Sequence, residues 1–253
     1  MKVKVIASGS KGNCTLVLCN NTKILIDVGV SLPYLKSSLE NLSIDVDSLD
    51  AILISHTHSD HIKGLLQLVK KHKVKVYSSV ELLYELANLI PIESIVVVEN
   101  QFMINDVKVT LIETSHDVTS YGFIIEHNNK ETVYITDTGY INKKHYSMTS
   151  NKDMYIIEAN HDEEMLMNGS YPYHLKQRVI GDKGHLSNRY TGKYLTKVIG
   201  NKTKYILLAH ISENNNTYDL ALEQVKEEMQ ETEFDFSKII VTHQNEETEM
   251  IEV

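Results

Sequence analysis

Apolar residues recur with two different periods in this chain, and the two alternate along its length. Short apolar runs bounded by Gly, Asn, Asp or Ser predict strands over residues 3–6, 15–18, 23–26 and 51–54. More follow at 74–77, 94–98, 102–104, 107–113, 122–126, 132–136, 154–157, 205–208 and 238–241. Apolar spacings of three and four predict helices over 31–41, 62–72, 80–89, 163–166, 173–180, 188–199 and 218–230. Ser31 is placed to cap the first helix, which carries Leu32, Leu35 and Leu39 on one face. Asn20-Asn21 and Asn128-Asn129 read as hairpin turns, which makes His127 an exposed residue without a role. No linker, low-complexity run or internal repeat interrupts the order. Strands with helices in both halves predict an α/β or α+β sandwich, one domain over residues 1–253.

The predicted strands share a second property: at least four run directly into a potential metal ligand. Ala51-Ile52-Leu53-Ile54 leads to His56, Val109-Thr110-Leu111-Ile112 to His116, Val133-Tyr134-Ile135-Thr136 to Asp137, and Ile206-Leu207-Leu208-Ala209 to His210. Ligands and catalytic groups in α/β sheets gather at one edge, just past the strand ends. The densest cluster is Ser55-His56-Thr57-His58-Ser59-Asp60-His61, with three imidazoles and a carboxylate within six residues. In an extended segment His56, His58 and Asp60 share a face, and His61 falls at the start of the next helix. Imidazole and carboxylate bind Zn²⁺, Mn²⁺ or Fe²⁺ alike. His56, His58 and His116 suffice for one ion and Asp60, His61 and His210 for a second, with Asp137 bridging; a single tetrahedral structural zinc needs only four ligands. Asp27, at the end of the 23–26 strand, is placed to orient a metal-bound histidine from behind, or simply to make a turn.

Composition changes this picture little: 42% hydrophobic and 23% charged residues indicate a globular protein. No apolar run approaches the ~20 residues that cross a bilayer, and the N-terminal apolar stretch is too short for a secretory signal. Cys14 and Cys19 fall on opposite faces of one predicted strand, so no disulfide is expected and a reducing cytoplasm fits. Charge distribution matters more. Net charge is −9, yet residues 176–204 carry Lys176, Arg178, Lys183, Arg189, Lys193, Lys197, Lys202 and Lys204 against Asp182 alone. Such a segment reads either as a phosphate-binding surface or as a solvated helix face.

His56-x-His58-x-Asp60-His61, His116, Asp137 and His210 stand in the order of the ligand motifs of the metallo-β-lactamase superfamily, which this sequence resembles. Asp27 matches that family's early aspartate, and Ser55 replaces its more common Thr. Ser8-Gly9-Ser10-Lys11-Gly12-Asn13, Asp137-Thr138-Gly139-Tyr140, Glu158-Ala159-Asn160-His161-Asp162 and Gly184-His185-Leu186-Ser187 resemble its YycJ/WalJ branch, compact bacterial proteins described as DNA exonucleases. The resemblance implies an αββα sandwich of two mixed β-sheets flanked by helices. It also implies phosphodiester hydrolysis by a hydroxide that two divalent ions share, with DNA favoured as the substrate.

On that reading Asp60 binds metal and orients the attacking water. His185 binds the scissile phosphate or protonates the leaving oxygen, unless its turn merely caps a helix. Ser10, Lys11 and Asn13 are placed for a flanking phosphate, Lys183 and Ser187 for the substrate backbone, and Arg189 and Lys193 for the strand beyond. Asn160 and His161 lie at the site edge or begin a helix, with Asn160 as its cap. No membrane and no obligate protein partner is implied. Two other readings remain open from the residues alone: a hydrolase of small esters or thioesters on the same metal core, and a non-catalytic metal-binding regulator.

Overall fold

The computed structural model describes residues 1–253 and resolves these patterns into two seven-stranded sheets. The first half contains β1 (Lys2–Ala7), β2 (Cys14–Cys19), β3 (Thr22–Ile26), α1 (Leu32–Glu40), β4 (Ala51–Leu53), α2 (Ser59–Ile62), α3 (Leu65–His72), β5 (Val76–Ser78), α4 (Val80–Ala87) and β6 (Ile95–Val97). The second contains β7 (Gln101–Ile104), β8 (Val107–Glu113), β9 (Tyr121–His127), β10 (Lys130–Ile135), α5 (Tyr146–Thr149), β11 (Met154–Glu158), α6 (Glu163–Asn168), α7 (Tyr173–Ile180), α8 (Asn188–Val198), β12 (Tyr205–Ala209), α9 (Tyr218–Met229) and β13 (Ile239–Val241). A last strand, β14 (Ile251–Glu252), returns to pair with β1. The strand orders are β14-β1-β2-β3-β4-β5-β6 and β13-β12-β11-β10-β9-β8-β7.

Each sheet is antiparallel at one end and parallel at the other. β3 to β6 pair in parallel, as do β10 to β13. The carboxyl ends of β3, β4, β10, β11 and β12 therefore open on one edge of the sandwich, where a ligand site is expected. Between the sheets lie Val17, Ile24, Ile26 and Leu53 from one side and Phe123, Tyr134, Met154 and Leu207 from the other, all buried. The helical layers bury their apolar faces outside. Leu35, Leu39, Leu68 and Leu82 cover the first sheet, and Leu195 and Val225 cover the second with Ile157 and Leu208. This is the expected αββα sandwich of two mixed sheets. No helix is long and apolar enough to cross a membrane.

Cys14 packs with the outer layer of the first sheet and Cys19 with the inter-sheet layer, so the two free thiols do lie on opposite faces. Two expectations are corrected. The helix expected over 62–72 is two helices, because Gly64 donates its N–H to the Val28 carbonyl at 2.8 Å and packs so close that a Cβ there would lie 2.3 Å from the Val30 carbonyl oxygen. His127 is buried, not exposed: its Nε2 lies 3.0 Å from Asp106 Oδ2 and 3.3 Å from the Asn20 amide, tying the hairpin turns of the two sheets together.

Candidate metal centre

The centre is built from backbone first. Beyond β3 the chain turns through Asp27, whose φ of 59° is left-handed. Val28 donates its N–H to His61 O at 2.8 Å, and Asn13 donates to Asp60 O at 2.7 Å. A Cβ on Gly29 would sit 1.6 Å from Asp60 O, so only glycine permits this packing. These contacts clamp Asp60 and His61 from both sides. Asp60 is therefore presented by α2, not by the extended segment that carries His56 and His58.

Side chains then fix the imidazoles. Asp27 Oδ1 accepts from Ser55 N and Oδ2 from Ser55 Oγ, both at 2.8 Å. Asp27 Oδ2 also lies 2.7 Å from His61 Nδ1, which directs His61 Nε2 towards Asp137 Oδ2 at 3.2 Å and Asp60 Oδ2 at 3.5 Å. His116 places Nδ1 3.1 Å from the Gly184 carbonyl and Nε2 3.4 Å from His58 Nδ1. His58 Nε2 in turn lies 3.2 Å from Asp117 Oδ1, and Arg178 of α7 holds the other Asp117 oxygen. At the far side His210 Nδ1 is 3.1 Å from both Asp137 Oδ1 and Glu158 Oε1. Asp137 and His210 also have left-handed φ, 54° and 52°. Non-glycine residues keep such backbone where the surroundings enforce it, often at a functional site.

Four groups of three or four donors lie within 4.8 Å: His56–His58–His116, His56–His61–Asp137, Asp60–His61–His210 and Asp137–Glu158–His185–His210. The donors fit divalent cations on one further ground. His56 Nε2 and His210 Nε2 are buried without a hydrogen-bond partner, a costly condition that coordination relieves.

The electrostatics agree. Burial, with His61 nearby, holds His56 well below the usual imidazole range, and burial also lowers His116. Burial opposes charge on His61 and His210 too, but Asp137 and Asp27 beside the first, and Asp137, Asp60 and Glu158 beside the second, hold both well above that range. Against burial, the same imidazoles keep Asp60 and Asp137 well below the usual carboxylate range. Glu158 is brought to about 2 by His185 and His210, again against burial. The site is a network of buried, mutually neutralising charges.

The structure brings together all seven residues read as ligands, with Asp27 behind His61 and His185 beside them. It places several other candidates elsewhere. Asn13 is buried, donating to Gly9 O and lying 2.9 Å from His61 Nε2 and 3.2 Å from Asp60 Oδ2, so it braces the ligands and does not face a flanking phosphate. Ser187 caps α8 and bonds Glu163 Oε1 at 2.8 Å, which occupies its hydroxyl. Lys11 pairs with Glu213 at 2.6 Å. Asp162, not Asn160, caps α6; the Asn160 amide instead donates to His210 O at 3.0 Å. His161 is buried with neither ring nitrogen partnered. Three of the eight basic residues of the segment are neutralised: Arg178 pairs with Asp117, Arg189 with Glu228 and Glu227, and Lys202 with Glu131. Ser10 and Lys183 do line a cavity beside His116 and His185. Sequence reasoning assigned no role to Asp117 and Glu158. Glu158 ends an apolar strand, the same signal that marks several candidate ligands; Asp117 has none beyond its place next to His116.

A beta-lactamase superfamily domain is matched over residues 22–211. The chain is 36% identical over 228 residues to the exodeoxyribonuclease WalJ of Streptococcus pneumoniae serotype 2 (strain D39 / NCTC 7466), covering 87% of this chain and 85% of that protein. It is 33% identical over 245 residues to the exodeoxyribonuclease YycJ of Bacillus anthracis, covering 94% and 93%. Among solved structures, the metallo-beta-lactamase fold protein YhfI from Bacillus subtilis superposes with a TM-score of 0.75 at 17% identity, over 98% of each chain. With its two-sheet sandwich and its imidazole–carboxylate centre, the chain belongs to the beta-lactamase superfamily, as a metal-dependent hydrolase of the metallo-β-lactamase fold.

Proposed function

We propose that this chain is a dinuclear, divalent-metal-dependent phosphodiesterase that removes nucleotides from a DNA end. The observation that carries the reading is the convergence of seven donors from both sheets on one cleft, with His56 Nε2 and His210 Nε2 buried and unpartnered. His56, His58 and His116 would hold one ion and Asp60, His61 and His210 the other, with Asp137 between; Zn²⁺ and Mn²⁺ suit these donors, and Fe²⁺ does too. When bound, such a pair acidifies water and neutralises charge on phosphoryl oxygens.

The remaining work falls to the chain's own groups. Asp27 keeps His61 in the tautomer that frees Nε2. Asp60 orients the attacking water. His185 places Nδ1 2.6 Å from Glu158 Oε1, and Glu158, with Asp137 nearby, keeps the imidazole protonated more readily against its burial. That leaves Nε2 to give a proton to the departing oxygen. Ser10 and Lys183 are the groups placed to bind substrate phosphate. DNA as the substrate is supported by the activity in the names of the two bacterial relatives. The chain would act as one unit over residues 1–253, in the cytoplasm, without an obligate protein partner.

The test is hydrolysis of end-labelled double-stranded DNA by protein purified without chelator, with Mn²⁺ or Zn²⁺ added, beside an Asp60→Ala/His61→Ala control. Stepwise mononucleotide release that the control lacks supports the reading and fixes the polarity. No release from DNA or RNA with either metal overturns it.

A further inference from the structure

We infer that the cavity between α7 and the loop after β12 binds one sugar–phosphate unit at a polynucleotide end and leaves its base outside. The inference deepens the phosphodiesterase reading and rests on it for the identity of the reacting centre. The cavity has a volume of ≈ 190 Å³ and opens directly on His116 and His185. Its two walls differ in chemistry. Leu175 and Val179 of α7 form an apolar side, suited to the carbon face of a sugar ring. Buried Asn160 and Asn215 supply polar lining beside it. At the mouth stands Lys183, engaged in no ion pair, where a phosphate would sit.

Size excludes the base. Pockets that enclose a whole drug-sized ligand run about 300–1,000 Å³, well above this one. The one tyrosine in the wall, Tyr171, has its hydroxyl tied to the Asn214 amide at 3.2 Å. A site that grips sugar and phosphate alone accepts all four nucleotides equally, as an enzyme working inward from an end requires. The cavity is also joined to the metal centre. Asn160 holds the His210 carbonyl, and Arg178 on the rim holds Asp117, which contacts His58.

The test compares the p-nitrophenyl esters of thymidine 5′-phosphate and 2′-deoxyadenosine 5′-phosphate with bis(p-nitrophenyl) phosphate, which has no sugar. The readout is the ratio of kcat/KM values measured on one preparation, so the folded fraction cancels. Wild type is expected to favour both nucleoside esters over the sugarless ester by at least tenfold, equally for the two bases. Leu175→Trp, which fills the cavity, is expected to lower that ratio at least tenfold. A ratio unchanged in Leu175→Trp, or one that differs tenfold between the bases, overturns the inference. Calorimetric binding of deoxyribose 5-phosphate, thymidine 5′-monophosphate and a dT hexamer supplies a readout independent of turnover. The first two are expected to bind alike and the hexamer more tightly, all weakened in Leu175→Trp. Tightest binding by free deoxyribose 5-phosphate points to a small sugar phosphate and overturns the polynucleotide assignment. If wild type cleaves no phosphodiester, the phosphodiesterase reading fails, while this binding series still decides whether the cavity takes a sugar phosphate.

Discussion

Asp117 sits where a single side chain decides how the proposed metal ligand His58 is presented. Its Oδ1 lies 3.2 Å from His58 Nε2, so it accepts that proton and leaves Nδ1, the nitrogen facing His116, free to coordinate. Partners of this kind contribute about 10–100-fold to metal affinity. Asp117→Asn is therefore expected to weaken binding of Zn²⁺ or Mn²⁺ by that amount in competition with a chromogenic chelator, and an unchanged affinity would remove Asp117 from this role. A second expectation concerns protons. His61 and His210 are held well above the usual imidazole range by the carboxylates around them, so between protein groups alone both are charged near neutral pH. Coordination requires neutral imidazole, so binding must expel those protons and affinity must rise with pH. Calorimetry at pH 7 in two buffers of different ionisation enthalpy should show proton release; identical heats would contradict it. The seven candidate ligands were legible because each follows an apolar run or lies in a dense histidine cluster. Asp117, Asn13 and Ser187 were not, because their roles depend on α7, α2 and α6, which approach them only in three dimensions.

At the scale of elements, close packing sets the geometry that spacing alone could not. The sequence pattern placed β1 to β13 within a residue or two, since alternation and turn residues act locally, and missed the two-residue β14, which is too short to show alternation. It missed the break between α2 and α3 because Gly64 is excluded from a continuous helix by the Val28–Val30 segment, some 35 residues earlier in the chain. Gly29 makes the same point more severely. Its Cα touches the backbone of Asp60, which cannot retreat without carrying Asp60 and His61 out of the centre. Gly29→Ala should cost at least the ~1–3 kcal/mol of ordinary overpacking, seen as a lower Tm, and should reduce the metal bound per chain. Full metal content with an unshifted melt would show that the clamp is not needed. The β11–α6 connection carries a different liability. His161 is buried with both ring nitrogens unpartnered, and burial lowers it to about 4. The unfolded chain takes up a proton near pH 6.5 while the folded chain does not until about 4, so this residue removes stability as pH falls through that window. Relative to wild type, His161→Leu should therefore lose less stability between pH 6.5 and 4 in urea titrations. Parallel losses would assign the acid sensitivity elsewhere.

Over the whole molecule, the centre lies on the seam between the two sheets. His56, His58, Asp60 and His61 come from the half that forms the first sheet, and His116, Asp137 and His210 from the half that forms the second. Strands with helices in both halves were visible in the pattern of periods, and the two-sheet sandwich came from the family resemblance. The fate of the charged segment was not: both of its arginines, Arg178 and Arg189, meet acids from remote parts of the chain, while five of its six lysines make no ion pair. A cation at the seam would join the halves, because its ligands converge only in the folded chain and each unpartnered buried donor costs roughly 1–3 kcal/mol. An ion that binds only the folded state stabilises it by about 2.7 kcal/mol at a hundred times its Kd. For a chain of this size that corresponds to roughly 5–10 °C in Tm. The melt should rise steadily with the logarithm of Zn²⁺ or Mn²⁺ concentration and fall back with EDTA. Asp137→Ala removes the donor placed between the two ligand groups and should flatten that dependence whatever its effect on the melt without metal. A wild-type melt indifferent to metal, or an Asp137→Ala melt as responsive as wild type, would mean that the ions do not bind at the seam.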